Sequence, residues 1–335
     1  MRSVAELEQA LSEPSAGLVA DMDRLKGDIL ILGAGGKLGP SLTRLALRAS
    51  QGRRSILAVS RFSNKAEADA LATEGARIIA ADIADEAALA ALPDVPNVIF
   101  LVGSKFGSTG REAETWYTNA YLPGRVADRF RSSRIVALST GNVYPFTPVE
   151  SGGPTEETPP GPIGEYAMSC LGRERVFTRF AQKFAMPLAL IRLNYAVEMR
   201  YGVLVDIGQK VMSGEPVDIT MSAVNVIWQG YANEVILRAL LHASSEPFVL
   251  NVTGSETLMV REIAQKFGAR FGRVPLIIGV EAPSALLSNA ARCRRLFGPP
   301  TVTPDRLIEW TAAWLEAGLP LLNKPTGFQK RDGKF

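Results

Sequence analysis

The segment DILILGAGGKLGPSL, residues 28–42, joins an apolar strand to a helix through a turn with glycine at positions 33, 36 and 39. Residues 28–32 predict a buried strand, and residues 38–48 carry apolar side chains at helical spacing. Glycine permits a sharp turn and lets backbone approach a phosphate, while the helix N-terminus offers free N–H groups to an anion. Gly33, Gly36 and Gly39 therefore predict a site for a dinucleotide diphosphate. Turns after strands are also glycine-rich for purely structural reasons, so the motif needs support from the rest of the chain.

The composition excludes several other classes of protein. The chain has 335 residues, of which 47% are hydrophobic and 21% charged, which suits one α/β core with a smaller lobe. Its net charge of +3 is small and evenly spread, so we expect a small-molecule partner and no nucleic acid. No apolar run approaches the roughly 20 residues that span a bilayer, so we expect no membrane association.

The rarer residue types point to a reducing compartment. Residues 1–26 alternate acidic and apolar side chains, which predicts a helical lead-in rather than a secretory signal. The only cysteines are Cys170 and Cys293, which we expect to be thiols in the cytoplasm. The single histidine, His242, follows an apolar helical run, so a packing role is favoured over catalysis and no metal site is expected.

Strand-like and helix-like segments alternate after the glycine turn. The further strands are SILAVS, ARIIA, NVIFLV, RIVALS and LALIRLN. This order predicts a doubly wound, Rossmann-type parallel sheet with helices on both faces. We assign residues 27–194 to a dinucleotide-binding domain and residues 195–335 mostly to a substrate-binding lobe with interleaved elements of the sheet. The stretch SGGPTEETPPGPI, residues 151–163, predicts a loop over the site, and residues 304–315 a terminal helix.

Two later segments, RIVALSTGNVYPF and EYAMSCLGRERVF, resemble the extended short-chain dehydrogenase/reductases of the NAD-dependent epimerase/dehydratase family. The resemblance continues to LSNAARCRRLFGPPTVTPDRLIEWTAAWL near the C-terminus. It implies that Tyr166 exchanges a proton with a substrate hydroxyl or carbonyl while hydride passes to or from nicotinamide. It also implies that Thr140 hydrogen-bonds the same substrate oxygen, and that the protein is a homodimer. Tyr166 as an ordinary half-buried aromatic and Thr140 as a turn cap are the structural alternatives.

One position departs from the family pattern. The family has lysine four residues after the tyrosine, where this chain has Cys170. On a helix the two side chains share one face, so the lysine lowers the tyrosine pKa and holds the nicotinamide ribose, which a thiol does not. Lys105, just past NVIFLV, is a candidate substitute because UDP-galactose epimerases carry a lysine there; a solvated loop lysine is the alternative. Cys170 as a nucleophile is a third possibility, although buried thiols are usually inert.

The resemblance also assigns the cofactor contacts. Ser60 and Arg61 follow the second strand, where an acidic residue would bind the ribose hydroxyls of NAD. Because a guanidinium pairs with a 2′-phosphate, Arg61 at the adenosine end of the site favours NADP over NAD. The alternative is that Arg61 stacks on the adenine of NAD. Asp82 and Ile83 match the pair that contacts adenine, with an N-terminal helix cap as the structural alternative for Asp82. Asn119 matches an asparagine that supports the active-site geometry. The remaining predicted cofactor contacts are Lys37, Leu38, Val102 and Gly103.

The substrate assignment is coarser. Many relatives hold a nucleotide-sugar diphosphate with an arginine, and here Val224 and Asn225 stand at the corresponding positions. Arg192 and Asn194, in LIRLN, match a family motif at the sheet edge and are the predicted substrate-binding residues together with Thr140; a purely structural role is the alternative for Arg192. Arg200 and Arg261 are candidates for an anionic substrate, but surface solvation is favoured for both.

Two functions follow from these observations. The first is an NAD(P)-dependent oxidoreductase, epimerase or dehydratase acting on a carbohydrate-like alcohol or ketone, with Tyr166 as the acid/base. A variant of it is a lyase or epimerase that holds its cofactor tightly. The second is a catalytically impaired nucleotide-binding regulator or scaffold that kept the fold. Cys170 in place of the family lysine, and the absence of the family arginine at position 224, favour this function.

Overall fold

The computed structural model describes residues 1–105, 107 and 109–334. Its strands are β1 (Ile29–Leu32), β2 (Ile56–Ser60), β3 (Arg77–Ala80), β4 (Asn97–Phe100), β5 (Arg134–Thr140), β6 (Thr147–Pro148), β7 (Leu188–Leu193), β8 (Ala196–Val197), β9 (Val217–Asp218), β10 (Ala223–Val224), β11 (Ile227–Trp228), β12 (Phe248–Val252), β13 (Leu258–Met259), β14 (Ile277–Ile278) and β15 (Ser284–Ala285). Its α-helices are α1 (Val4–Leu11), α2 (Ala16–Arg24), α3 (Gly39–Ser50), α4 (Lys65–Thr73), α5 (Glu86–Ala90), α6 (Glu112–Trp116), α7 (Leu122–Arg129), α8 (Gly164–Phe184), α9 (Val203–Ser213), α10 (Gln229–Arg238), α11 (Val260–Phe271), α12 (Ala291–Phe297) and α13 (Pro304–Glu316). A π-helical turn spans Tyr117–Tyr121, and short 3-10 helices span Gly141–Val143, Val149–Ser151 and Ala239–Leu241.

Seven strands form one parallel sheet in the order β12-β7-β5-β4-β1-β2-β3. All four residues of β1 are buried because helices cover both faces of the sheet. The chain moves outward from β1 through β2 to β3 and then crosses back to β4 on the other side of β1. The carboxyl ends of β1 and β4 therefore flank a crevice, the usual ligand site of such sheets. The predicted doubly wound fold is confirmed.

The seventh strand of the sheet was not predicted. The segment FVLNV forms β12, which lies at the edge beside β7 with Phe248 opposite Ala189. Only part of β12 is buried, so its sequence lacks the continuous apolar run of the central strands. Residues 248–252 thus join the sheet although they come after residue 194, where we place the domain division.

The N-terminal residues form the two helices α1 and α2, which pack on α3 and α10. Leu7, Leu11, Leu18 and Met22 are buried in this contact, and each side chain of that kind contributes about 1.5–3 kcal/mol. Ser3 and Ser15 cap the two helices by accepting backbone N–H groups. These helices therefore form part of the core that supports the glycine turn.

Residues 319–334, which we call the C-terminal strap, run without regular structure along the carboxyl edge of the sheet. Its backbone N–H at Leu322 donates to the Arg200 carbonyl, and its Arg331 donates to the Ser284 carbonyl and hydroxyl. Thr326 and Phe328 are buried. The strap is therefore anchored at several points beside the crevice.

Over residues 1–105, 107 and 109–334, no helix combines the length and the apolar character needed to cross a membrane.

Candidate functional site

The glycine turn connects β1 to α3 and has two positions that only glycine fits. Gly33 has φ +90°, and its N–H donates to the Val59 carbonyl at 2.9 Å. A Cβ on Gly39 would lie 2.2 Å from the Ala34 carbonyl oxygen, so Gly39 allows α3 to start directly against β1. Gly36 is exposed between them, on the open side of the turn.

The same turn offers unused hydrogen-bond donors. Within the described part of the chain, the N–H groups of Gly35, Lys37 and Leu38 donate to no carbonyl or side chain. They lie next to the N-terminus of α3, where the helix dipole favours negative charge. Three free N–H groups at a helix N-terminus fit the diphosphate of a dinucleotide. Gly33, Gly36, Lys37, Leu38 and Gly39 thus form the turn to which we assign that group.

A cleft of about 180 Å³ opens at the carboxyl ends of β5 and β7. Thr140, Tyr166, Lys105 and Asn194, all predicted from the sequence, line it together with Lys37 from the glycine turn. The sequence interpretation did not include several other residues of the lining, among them Asn142, Tyr195 and Tyr201. The fold therefore collects the predicted acid/base pair, a cation and a donor amide around one space.

The phenol of Tyr166 is hydrogen-bonded to Thr140 and Cys170. Burial, followed by the neighbouring Cys170, raises the pKa of Tyr166 above its ordinary value, and Thr140 and Arg173 act in the opposite direction. A tyrosine with a raised pKa carries its proton at neutral pH. The side chain therefore stands in the cleft as a proton donor.

Cys170 occupies the position of the family lysine without replacing its charge. The side chain is 1% exposed and packs against Val143 and Tyr144. Burial raises the pKa of its thiol, which keeps it neutral and a poor nucleophile. The geometry thus supports a packing role for Cys170.

Lys105 lies in the cleft near the phenol. Its Nζ is 5.8 Å from the centre of the Tyr166 ring and donates to the Thr326 carbonyl at 3.4 Å. Burial lowers the pKa of Lys105 from 10.5 to about 8, with Cys170 and Asp206 acting in the opposite direction. At neutral pH the group is a cation, so Lys105 brings positive charge to the side of the cleft where the family lysine is missing.

A second cation near Tyr166, Arg173, was missed by the sequence interpretation. It is 5% exposed and donates to the Leu138 carbonyl at 2.7 Å and to Asn119 Oδ1 at 2.7 Å. Its charge lowers the pKa of both Tyr166 and Cys170. Positions 166, 170 and 173 follow the i, i+4, i+7 spacing of one helix face, and this spacing was the signal that could have identified it.

Asn119 fixes the chain segment that carries Lys105. Its amide exchanges two hydrogen bonds of 2.8 Å with the backbone of Ser104 and donates to Ser169 at 3.0 Å. The side chain is fully buried, so it positions other residues rather than lining the cleft. Gly103 precedes Ser104 and leaves room for the Arg173 side chain, because a Cβ on Gly103 would lie 2.8 Å from the Arg173 guanidinium. Val102 packs beside Gly33.

Lys37 points from the glycine turn toward the cleft. Its Nζ donates to the Ala196 carbonyl at 3.0 Å and lies 3.6 Å from the centre of the Tyr201 ring. Burial lowers the pKa of Lys37 from 10.5 to about 7, against the opposing effect of Glu198. Its charge therefore responds to any anion that binds at the turn.

The turn after β7 combines an unpaired donor with a strained backbone. Asn194 is 2% exposed, and its Nδ2 has no hydrogen-bond partner among the described residues. The next residue, Tyr195, has φ +45°, a conformation that costs a non-glycine residue about 1–3 kcal/mol. An unpaired amide and a strained tyrosine at one edge of a cleft are features of ligand sites.

The predicted adenosine end lies at the carboxyl ends of β2 and β3. The Arg61 guanidinium is 79% exposed and lies 3.9 Å from an Asp82 carboxylate oxygen, and Ser60 faces Gly35. Ile83 is buried in the core, so only its backbone is placed to meet a ligand. A cavity of about 260 Å³ lies nearby, lined by Gly35, Gly36, Phe62 and Asn64 among others.

The structure does not bring Arg192 to the cleft. Its guanidinium is buried in an ion pair with Glu174, at 2.7 and 3.0 Å, and donates to the Tyr144 hydroxyl at 2.7 Å. Every nitrogen of the group is used, so Arg192 joins β7 to α8 and its predicted substrate contact is corrected to a structural one. Arg200, expected to be solvated, instead pairs with Glu8 at 2.6 Å and with Glu198.

His242 stacks against Phe248, with ring centres 5.2 Å apart, and lines none of the cavities described above. Its packing role agrees with the sequence interpretation. Among the residues that the structure describes, no group of three or more His, Cys, Asp or Glu side chains is placed to hold a metal ion.

Solved structures of similar fold include UDP-sugar 4-epimerases. One is the UDP-glucuronic acid 4-epimerase from Bacillus cereus in complex with UDP-glucuronic acid and NAD, with a TM-score of 0.73 and 16% identity over 86% of this chain and 99% of that one. Others are the UDP-glucose 4-epimerase of Thermotoga maritima (TM-score 0.69, 17% identity, 87% and 99% covered) and that of Thermus thermophilus in complex with NAD (TM-score 0.70, 17% identity, 85% and 97% covered). At sequence identities of 16–17%, this similarity shows only that the chain shares their fold.

No curated protein matches the chain significantly. The model of the NAD dependent epimerase/dehydratase family matches residues 29–197, which contain the glycine turn, Thr140, Tyr166 and Asn194. Because this region makes up half of the chain, the protein belongs to the NAD-dependent epimerase/dehydratase family of enzymes.

Proposed function

We propose that the protein is an NAD(P)-dependent oxidoreductase, epimerase or dehydratase that acts on a carbohydrate-like alcohol or ketone. The observation that carries the proposal is the shared cleft, in which the Tyr166 phenol, hydrogen-bonded to Thr140, lies beside Lys105 and within one cavity of the glycine turn's Lys37. A nicotinamide, when bound, accepts or supplies a hydride. The chain's own residues supply the proton and the binding contacts.

Each of these residues has a separate part in the chemistry. Tyr166 donates its proton to the carbonyl oxygen of the substrate in the reductive direction, since its raised pKa keeps it protonated. The Thr140 hydroxyl, which here donates to Asn142 Oδ1 at 3.1 Å, redirects this hydrogen bond to the same substrate oxygen, and Lys105 offsets the negative charge that the departing proton leaves on the phenol. A raised pKa also weakens the phenol as an acid, so the positive charge of Lys105 is needed to stabilise the phenolate that the transfer leaves.

The cofactor preference is proposed to be NADP. Two of the three solved structures named above, from Bacillus cereus and Thermus thermophilus, carry NAD, but here the exposed Arg61 guanidinium stands at the end of β2 where a carboxylate would select NAD. Calorimetric titration is expected to show NADPH binding about tenfold more tightly than NADH, and Arg61→Ala is expected to remove most of that preference. The control is Arg131→Ala, which removes another exposed arginine and is expected to leave the preference unchanged. Equal affinity of both nucleotides for the native protein would contradict the assignment.

Cofactor binding is expected to take up protons near pH 8. A diphosphate at the turn favours the ammonium form of Lys37, whose pKa of about 7 leaves it largely neutral at pH 8. The affinity for NADPH should therefore fall as pH rises from 7 to 9, by no more than about tenfold per pH unit for one proton. Calorimetry in two buffers of different ionisation heat measures the uptake directly. Lys37→Met should abolish it, and an unchanged uptake in that variant would show that another group titrates.

A second candidate function is a nucleotide-binding regulator with impaired catalysis. The neutral, buried Cys170 in place of the family lysine is the observation that favours it. Its distinguishing expectation is cofactor binding without turnover of any alcohol or ketone.

The quaternary structure and location complete the proposal. Trp116, Tyr117 and Tyr121 on α6 and the π-helical turn, with Met168 on α8, are exposed on neighbouring helices, and Tyr121 is 59% exposed. We assign this aromatic face to the interface of a homodimer, which sedimentation equilibrium would test.

The two free, buried cysteines support a cytoplasmic location.

A further inference from the structure

The cleft beside Tyr166 continues into a smaller cavity under the C-terminal strap. This side pocket, of about 30 Å³, shares Lys105, Asn142 and Tyr195 with the cleft and is closed on the outside by Phe328 and Lys330. Together the two spaces are lined by three lysines, at positions 37, 105 and 330, and by no aspartate or glutamate among the described residues. Such a lining attracts a negatively charged ligand.

The nearest carboxylates, Asp206 and Glu198, act on Lys105 and Lys37 from outside the lining of both spaces. Asp206 accepts the Thr326 hydroxyl at 2.6 Å and its backbone N–H at 2.8 Å. Glu198 is 1% exposed and is paired with Arg200. Both acids are held by hydrogen bonds or an ion pair and lie outside the lining, so the cleft and its side pocket are bordered by lysines and by no carboxylate of the described residues.

The cleft also contains a hydrogen-bond donor that the protein leaves unused. Asn194 Nδ2 is buried and has no partner among residues 1–105, 107 and 109–334. A buried amide donor without a partner costs about 1–3 kcal/mol, so a ligand oxygen at this position would recover that cost. This observation is independent of the lysines and points to the same kind of ligand, one rich in oxygen atoms.

The size of the cavity sets an upper limit on the ligand. Sites for larger ligands usually measure about 300–1,000 Å³, whereas the cleft and its side pocket measure about 180 and 30 Å³. The strap is the outer wall: Gly333 and Gly164 pack backbone to backbone, since a Cβ on Gly164 would lie 2.5 Å from the Gly333 oxygen. Arg331, held by Ser284, fixes this end of the strap. Because the nicotinamide ring is assigned to the same cleft, the space left for the substrate is smaller than these volumes, which suits a small polyol and excludes a nucleotide sugar.

We propose that the substrate is a small polyhydroxylated anion, with its carboxylate or phosphate group between Lys105 and Lys330 and its carbon chain directed toward Tyr166. The inference rests on the proposed function and adds a substrate class to it. The strap then has a direct part in specificity, because it contributes Lys330 and excludes larger compounds.

The test compares matched three-carbon probes on the full-length protein. D-glycerate, glycerol 3-phosphate and glycerol are titrated calorimetrically, with and without saturating NADPH. At least one of the two anions is expected to bind ten times more tightly than glycerol or better, and the stronger of the two identifies the group. Lys330→Gln is expected to weaken the anion about threefold to fivefold and Lys330→Glu more, with no change for glycerol. Lys334→Gln, which alters an exposed strap lysine outside both cavities, is the control.

Two results would overturn the inference. One is equal binding of glycerol and both anions, and the other is tighter binding of UDP-glucose than of either anion. Failure of NADPH to bind would instead count against the proposed function, because the anion titrations without cofactor are read separately.

Discussion

Replacing Tyr166 by phenylalanine is expected to lower kcat/KM by about 10²–10⁴, the usual contribution of a positioned proton donor. The phenol is hydrogen-bonded to Thr140 in the cleft, and no other described residue there matches the family's proton donor. Phenylalanine keeps the ring and removes only the hydroxyl, so the affinity for NADPH should stay within about twofold. The measurement is NADPH oxidation with a panel of hydroxy- and keto-acids and sugars, followed at 25 °C.

The outcome separates the two candidate functions. Tyr121→Phe removes an exposed hydroxyl on the aromatic face and is the matched control, expected to be fully active. Retained turnover in Tyr166→Phe would remove the assigned role of this residue. If the native protein shows no turnover and the Cys170→Lys variant does, the result supports the regulator function. It would mean that the native site lacks only the cation one helical turn from the phenol.

Breaking the buried ion pair between Arg192 and Glu174 is expected to cost about 3–5 kcal/mol of stability. The two side chains are 6% and 3% exposed, and Glu174 accepts a further hydrogen bond of 2.6 Å from Ser139. Arg192→Met leaves a carboxylate buried without its cation, whereas the double variant Arg192→Met with Glu174→Gln removes both charges. The urea midpoint should therefore fall steeply in the single variant and partly recover in the double one.

An exposed pair provides the comparison. Arg306 and Glu309 are 59% and 65% exposed, and Arg306→Met should change the free energy of unfolding by less than about 1 kcal/mol. A similar small change in Arg192→Met would mean that the pair adds little to stability. It would also reopen a direct role of Arg192 at the substrate.

The sheet and the cofactor turn were predictable because they depend on local patterns. Apolar runs gave six strands of the sheet, and the glycine spacing gave the turn from β1 to α3. The edge strand β12 was missed because it includes the polar Asn251 and lies in the later part of the chain, outside the alternating strands and helices of residues 28–194. The helix spacing that relates Tyr166 to Cys170 also contained Arg173, but no family motif drew attention to it.

Other parts of the site depend on contacts between distant residues and leave no local pattern. The strap has no apolar periodicity, yet it places Thr326 and Lys330 beside the cleft. Residues 151–163 were predicted to cover the site, and only Ile163 lines the side pocket. Arg192 was assigned to the substrate from a motif, but its partner Glu174 lies on α8, and spacing along the chain does not show that pairing.

A crystal structure of the protein with NADPH bound tests the central claim most directly. We predict that the diphosphate accepts N–H groups from Gly35, Lys37 and Leu38, and that the nicotinamide ring lies in the cleft with the Tyr166 hydroxyl facing its reactive side. Binding of the nucleotide outside this cleft, or no bound nucleotide at saturating concentration, would contradict that claim.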